Sequence, residues 1–402
     1  MKLEFTEKDC LEWAVAEIID PEPIQAALKT GKQLRVKLGI DPTSPNIHLG
    51  RSIALWRLRA FQELGHKIDL IIGDFTGQVG DTSDKDSERP MLTEQTIQDN
   101  LSHYLEQLWM ILNPEKKELV EIHYNSTWLA PLSFAQISTM ADVFSVNSFI
   151  KRELVAKRLE EGSRVSLREM LYPLMQGYDS VMLKTDIELG GTDQRFNLLA
   201  GRLLQERAGQ HPQSLIMHIL IDGTDGRKMS SSWGNVISLR DTPEDKFGKL
   251  MTVHDQIMPQ YLSVLPSSVF PFSKAELKER MAAGENPRDL KMQLAEVLVT
   301  LYHGEEKARE VREAFIAQFT DNKLPEDIPV LSLKTVPQSG NWLDILDVLV
   351  FSQIASSKSD ARRLLEQGGV KIDQKVITDL NFQIKPGVIL QVGKRRFLKI
   401  EE

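Results

Sequence analysis

Leu34-Arg35-Val36-Lys37-Leu38-Gly39-Ile40-Asp41-Pro42-Thr43-Ser44-Pro45-Asn46-Ile47-His48-Leu49-Gly50 changes character twice. Leu34 to Ile40 alternates in part and reads as a strand. Asp41 to Asn46, with two prolines, reads as a loop. From His48 to Leu64 the period becomes helical, with Ile53, Trp56, Ala60 and Leu64 three to four apart, and Gly65 suits the position just past a helix end. Strand, short loop and helix form the opening unit of a parallel α/β sheet. Working outward, Ile68 to Ile72 is a continuous apolar strand, as expected where both faces of a sheet are covered. A helical stretch at Thr93 to Leu112 and strands at Leu119 to His123 and Ser214 to Ile221 continue the alternation. The fold class expected is α/β, with a doubly wound, Rossmann-like parallel sheet.

Beyond Thr242 the strand signals fade. Pro243 to Phe319 reads as largely helical, most clearly at Pro287 to His303, where Leu290, Leu294, Val297, Leu298 and Leu301 mark one stripe. Asp321 to Gly340 holds Pro325, Pro329 and Pro337 without sustained periodicity and reads as a linker. Residues 341–402 are the size of a small α+β module.

The chain has 402 residues, 41% hydrophobic and 26% charged, an ordinary globular balance. The net charge of −8 argues against a chain that coats nucleic acid by bulk charge. That charge is unevenly spread. Between Phe351 and Lys399 there are ten Lys/Arg against four Asp/Glu, whereas residues 1–350 carry 39 basic and 51 acidic groups. One cysteine, Cys10, cannot form a disulfide within the chain. No apolar run approaches a membrane span, and Met1 to Asp9 carries acids where a signal peptide needs an apolar core. A cytoplasmic protein without membrane association is expected.

Three groups of residues point to chemistry. In Gly39 to Gly50, a helix start offers free N–H groups and a positive dipole end to a phosphate chain. Thr43 and His48 add donors there, and Gly50 lets a flat base approach the backbone. The alternative is a proline-rich turn before a helix with a surface histidine. Asp225-Gly226-Arg227-Lys228-Met229-Ser230-Ser231-Ser232-Trp233-Gly234-Asn235 reads as a flexible cationic loop able to close on a triphosphate, or as a solvated polar loop. Tyr172, Gln176 and Asp179 stand at i, i+4 and i+7 and share one helix face, which lines a polar pocket or a buried hydrogen-bond network.

The first two groups together resemble the HIGH and KMSKS signatures of class I aminoacyl-tRNA synthetases. Tyr172 to Asp179 and Glu188-Leu189-Gly190-Gly191-Thr192-Asp193-Gln194-Arg195-Phe196-Asn197 look like the tyrosine helix and ribose loop of the tyrosyl-tRNA synthetase family, bacterial type. Gly73 to Asp81 resembles that family's second strand and following loop, and Asn286 to Glu306 its helical domain. The resemblance covers nearly the whole chain. It implies a catalytic domain at 1–241, an α-helical anticodon-side domain at 242–320, a linker at 321–340 and an RNA-binding module at 341–402. It also implies activation of L-tyrosine by ATP with Mg²⁺, no protein-bound metal, transfer to tRNA(Tyr), and a homodimer. A tryptophanyl-type synthetase and a non-catalytic synthetase-like RNA-binding factor are the rival readings. Asp179 and the Gly-Gly-Thr-Asp-Gln stretch favour tyrosine over the first, and the full set of site residues argues against the second.

By the same resemblance, Asp81, Tyr172 and Gln176 hold the substrate α-ammonium, Asp179 accepts from the phenol, and Gln194 orients the amino-acid end. Such a phenol contact is needed to reject phenylalanine. Lys37 and Gly39 border the tyrosine site. Asp41, His48, Gly50, Arg51, Gly191, Asp193, Lys228, Met229, Ser230 and Ser232 belong to the ATP site. Thr43, His48 and Lys228 stabilise charge moving onto pyrophosphate, with Lys85 and Arg89 as cationic groups from a mobile loop. Three positions depart from the family pattern. Lys37 stands where one branch has a second tyrosine facing the phenol. Arg51 replaces the usual histidine at the fourth HIGH position. Ser231 replaces the second lysine of KMSKS, and Arg227 is expected to supply the missing cation. Ser357 to Ile372 reads as a capped helix, a glycine stop and a strand, and looks like the module of ribosomal protein S-four. Lys358, Arg362, Arg363 and the Lys394-Arg395-Arg396 turn are expected to meet RNA phosphates.

Overall fold

The computed structural model describes residues 3–81, 92–270, 272–320, 328–332, 343–355, 357–373, 375–393 and 396–401. They form two compact units, one through Arg312 and one from Glu313.

The first unit is built on β1 (Val15–Ile19), β2 (Arg35–Ile40), β3 (Lys67–Ile72), β4 (Val120–Tyr124), β5 (Ile187–Gly191) and β6 (Ser214–His218). Their spatial order is β1-β6-β5-β2-β3-β4. Strands β2 to β6 run parallel, and β1 closes one edge antiparallel to β6. The chain winds from β2 through β3 to β4 on one side, then returns to build β5 and β6 on the other. The reversal falls between β2 and β5, and a crevice opens at their carboxyl ends. Every residue of β5 and β6 is buried.

Helix Leu49–Glu63 follows β2 and is buried on far more than one face, from Leu49 and Ile53 through Trp56, Arg57 and Leu58 to Phe61. Helix Leu167–Leu183 starts at a capping box between Ser166 and Glu169, and Glu169 also pairs with buried Arg158 at 2.7 Å.

Each strand and helix expected in this unit is present, with three differences among its strands. Strand β6 stops at His218, three residues short of Ile221, because the chain turns there to pair with the following loop: Met229 N–H donates to Ile221 C=O at 3.0 Å. Strand β5 overlaps the start of the stretch read as a ribose loop; its two terminal glycines hide the apolar run. Edge strand β1, half-exposed and carrying Glu17, has too weak a pattern to stand out.

Helix Pro287–His303 has the bounds the pattern predicts. The helices through Arg312 belong to the same unit as the sheet. Trp56 Nε1 donates to Tyr302 Oη at 3.1 Å, and buried Lys246 donates to Leu239 C=O at 2.6 Å. No helix of the described residues is long and apolar enough to cross a membrane.

In the second unit, β7 (Val330–Ser332), β8 (Leu343–Asp344), β9 (Val370–Ile372), β10 (Lys375–Val376), β11 (Gln383–Ile384), β12 (Ile389–Val392) and β13 (Arg396–Glu401) accompany helices Ile345–Phe351 and Lys358–Glu366. Five strands form a sheet in the order β10-β9-β12-β13-β7, and β11 pairs with β8. Ile345, Val348, Leu349, Ala361, Leu365, Val370, Leu390 and Ile400 make the core. The stretch expected to be only a linker contributes β7, parallel to β13. Three residues after a proline are too few to show a period of two.

Candidate active site

A cavity of about 790 Å³ lies at the carboxyl ends of β2, β3 and β5. Asp179 lines one part of it and is buried. Trp128 Nε1 donates to its Oδ1 at 2.7 Å, and Asn125 Nδ2 reaches Oδ2 at 3.4 Å. Asn125 and Trp128 follow β4 immediately, so the end of that strand sets the acid's orientation. Burial pushes the carboxyl up to about 7, against the lowering effects of Lys37, Trp128 and Asn125.

Tyr172 and Gln176, two turns and one turn earlier on the same helix, also line the cavity. Tyr172 Oη donates to Asp41 Oδ2 at 2.8 Å, and Thr76 Oγ1 donates to Asp41 Oδ1 at 2.7 Å. A Cβ on Gly73 would fall 1.9 Å from Asp41 Oδ1, so only glycine leaves room for this carboxylate over the end of β3. Asp81 accepts from Gln194 Nε2 at 2.6 Å. Burial, then Asp41 and Asp81, push the Tyr172 phenol well above its usual value. Carboxylates gathered around a buried phenol make a site for a cation such as an ammonium.

Opposite stands the start of helix Leu49–Glu63. His48 caps it, with Nδ1 accepting from Arg51 N–H at 3.4 Å. The ring proton is thereby assigned to Nε2, which is left as a donor. Burial, then the charges of Arg51 and Lys228, hold His48 down to about 3, so the ring is neutral near pH 7. A Cβ on Gly50 would lie 3.1 Å from His48 Nδ1. The glycine lets the imidazole lie across the first turn. Arg51 donates to Thr43 Oγ1 at 3.3 Å and to the hydroxyl of Tyr104. Lys228 pairs with Asp193 at 3.0 Å. Buried Asn235 organises the loop: its amide donates to Asp225 and to the carbonyls of Arg227 and Lys228, and its Oδ1 accepts from Ser230 N–H at 2.9 Å.

Gly39, Asp41, Thr43, His48, Gly50, Arg51, Asp81, Tyr172, Gln176, Asp179, Gly191, Asp193, Gln194, Lys228, Met229, Ser230 and Ser232 therefore share one cavity. Two candidates do not line it. Lys37 is fully buried against Glu188, at 2.8 Å, and donates to Ser180 and to the Gln176 carbonyl. On a strand covered on both faces its ammonium needs internal partners, and the adjoining strand supplies Glu188. Arg227 pairs with Asp225 at 2.5 Å and lies over the Trp233 ring, with its side chain 59% exposed. It is turned toward its own loop. Lys85 and Arg89 lie outside the described residues.

Sequence reasoning missed Tyr104, Thr76, Asn125 and Trp128. The last three follow the carboxyl ends of β3 and β4, where a doubly wound sheet places its ligand groups, and that position was the available signal. In the second unit Arg362 is exposed, Lys358 pairs with Asp347 at 2.5 Å, Arg363 pairs with Asp360 at 2.7 Å, and Arg396 donates to Ile354 C=O at 2.8 Å. Lys394 and Arg395 lie outside the described residues.

A histidine-capped helix after the first central strand, and a Lys-Met-Ser loop across the crevice, are the parts of a class I aminoacyl-tRNA synthetase. The family model for tRNA synthetases class I (W and Y) matches residues 29–320, and the S4 domain model matches 346–390. The tyrosine–tRNA ligase of Carboxydothermus hydrogenoformans is 45% identical over 98% of this chain and 97% of its own. That of Thermotoga maritima is 43% identical over 96% and 95%. The chain belongs to the tyrosyl-tRNA synthetase family. The solved tyrosyl-tRNA synthetase of Archaeoglobus fulgidus, complexed with L-tyrosine, shares the fold: TM-score 0.60, 24% identity, 77% of this chain and all of that one.

Proposed function

We propose that the cavity is the adenylation site, with the phenol of L-tyrosine at Asp179 and the α-phosphate of ATP before His48. The chain is a tyrosine–tRNA ligase: it forms tyrosyl-adenylate and pyrophosphate, then charges tRNA(Tyr). The observation that carries the residue assignment is the pair of opposed ends. A buried carboxylate with two fixed donors stands at one, and a capped helix start with cations stands at the other.

Asp81, Tyr172 and Gln176 hold the α-ammonium, with Gln194 steadying Asp81 and Gly39 bordering the amino acid. Asp41 lies between amino acid and nucleotide. Gly50, Arg51, Gly191, Asp193, Met229, Ser230 and Ser232 take ATP. The tyrosine carboxylate attacks the α-phosphate in line, and pyrophosphate leaves. Catalysis is positioning plus stabilisation of charge on the leaving group, by Thr43, His48 and Lys228. Lys85 and Arg89 join them by family resemblance. Arg227 would first have to leave Asp225. Lys37 acts through Glu188 and through its charge near Asp179.

Mg²⁺ enters with the substrate ATP, whose charge needs neutralising. Among the described residues, Asp69, Glu121 and His123 could together hold a metal ion. Arg35 already occupies Asp69, and the group does not line the cavity, so it does not fit a Mg–ATP site.

We assign the second unit to tRNA binding in the cytoplasm, within the division 1–241, 242–320, 321–340 and 341–402. The assignment rests on the S4 match and the local excess of Lys and Arg. A homodimer through residues 134–171 is supported by exposed apolar side chains there: Phe134, Val146, Ile150, Leu159 and Leu167. The test is tRNA(Tyr) binding by the full chain and by a chain ending at residue 340. The full chain should lose affinity steeply with salt, and truncation should weaken binding while tyrosine activation persists. Salt-independent binding, or equal binding by the truncated chain, would remove the assignment.

A further inference from the structure

Arg51 and Ser231 depart from the synthetase signatures in opposite senses. One gains a cation beside the helix start, and the other loses one from the loop across from it. We propose that Arg51 supplies the cation that Ser231 does not, and stabilises the pyrophosphate leaving group with Tyr104 as its positioning residue. The proposal deepens the adenylation reading and rests on it.

The geometry separates three cations. Arg227 is folded back on Asp225 and Trp233 and does not line the cavity. Lys228 lines it and is paired with Asp193. Arg51 lines it at the first turn of helix Leu49–Glu63, where the positive end of the helix dipole favours an anion although the first-turn N–H groups are already bonded, Leu49 to Ile237 C=O and Gly50 to Met229 Sδ. Its guanidinium reaches two hydroxyls, Thr43 Oγ1 at 3.3 Å through one nitrogen and Tyr104 through the other. Two partners fix the plane of the fork, and a fixed planar fork suits bidentate contact with phosphate oxygens. Thr43 accepts from Arg51, so its own O–H is left to donate. Tyr104 is buried in helix Glu94–Trp109, so it anchors Arg51 to a packed element rather than to a loop. His48, neutral, contributes a donor but no charge. Arg51 adds the charge in the same turn.

When the bond from the α-phosphorus to the bridging oxygen breaks, the electron pair goes to pyrophosphate. A cation fixed beforehand at that end stabilises the transition state more than bound ATP.

The test uses the full chain with Mg–ATP and tyrosine in single-turnover adenylate formation, alongside titration with magnesium pyrophosphate. Arg51→Met should slow adenylate formation by about 10²-fold, the usual scale for losing one such group. It should weaken pyrophosphate binding by about tenfold and leave the tyrosine Kd within about twofold, an effect confined to the phosphate end. Arg51→Lys keeps the charge and should retain most of the rate. Ser231→Lys in the Arg51→Met background should recover about tenfold or more of the loss, since it restores charge from the opposite side. Tyr104→Phe should lower the rate at saturating ATP by about threefold or more, with little change in tyrosine affinity. Unchanged pyrophosphate affinity in Arg51→Met, no rescue by Ser231→Lys, or a larger loss in Arg227→Met than in Arg51→Met would overturn the proposal. Pyrophosphate titration needs no amino acid. A failure of the unsubstituted chain to activate tyrosine would therefore count against the adenylation reading alone.

Discussion

Asp179→Asn lowers kcat/KM for tyrosine by about 10³-fold and collapses the preference over phenylalanine by a similar factor. The carboxylate is acceptor-only when ionised, and its two oxygens face Trp128 Nε1, Asn125 Nδ2 and the incoming phenol. An asparagine amide has one acceptor and one donor end, so it either meets a donor with a donor or fails the phenol. A hydrogen bond to a charged group is worth about 1.5–3 kcal/mol, and a buried donor left unsatisfied costs about 1–3 kcal/mol more. Together these give about 4 kcal/mol, or roughly 10³ in rate. Phenylalanine makes no such bond and loses little. Tyrosyl-tRNA synthetases themselves set the larger scale, about 10⁵ against phenylalanine.

The pH dependence has the same origin. Burial holds Asp179 at about 7, well above the ordinary carboxyl value. Tyrosine affinity should therefore rise from pH 6 to 8 as the carboxylate ionises, while phenylalanine affinity stays flat. Because the folded-state value is raised, the stability this group contributes is complete below about pH 4 and is lost as pH rises toward 7. Bound tyrosine, by hydrogen-bonding the ionised form, should recover it. Equal losses for tyrosine and phenylalanine in Asp179→Asn would contradict the phenol contact.

His48→Ala and Thr43→Ala should each slow adenylate formation by about 10²–10³, with tyrosine Kd unchanged. His48 is neutral across the working range because burial and two cations hold it at about 3. The role proposed for it is a hydrogen bond from Nε2, and the loss should not vary between pH 6 and 8. Arg51 links the two residues, donating from its backbone to His48 and from its side chain to Thr43. The double variant should therefore lose less than the product of the single losses. Stopped-flow adenylate formation is the measurement, and full rates in either single variant would remove that residue from the reaction.

Much of this site was legible from local pattern. The loop and helix after β2, the face shared by Tyr172, Gln176 and Asp179, and the Lys-Met-Ser loop each sit within one short segment, so a period or a spacing reveals them. What escaped were contacts between distant segments. Trp128 reaches Asp179 across 51 residues of chain, and Tyr104 reaches Arg51 across 53. Tyr104 carries no signal of its own, and Trp128 only its place after the end of β4. Lys37 had a plausible place in the pocket because its strand leads there, but a fully buried ammonium takes the nearest carboxylate, and β5 brings Glu188 to 2.8 Å. Arg227 stands outside the cavity for a related reason. Its neighbour in sequence, Asp225, holds it at 2.5 Å before any phosphate can. Strand β7 escaped because its partner β13 lies at the other end of the unit.

ATP–pyrophosphate exchange by the full chain, run in parallel with tyrosine, with tryptophan and without amino acid, tests the central assignment most directly. Exchange dependent on tyrosine, with tryptophan at the level of the blank, is the expected result. Exchange driven equally well by tryptophan, or absent with every amino acid, would contradict it.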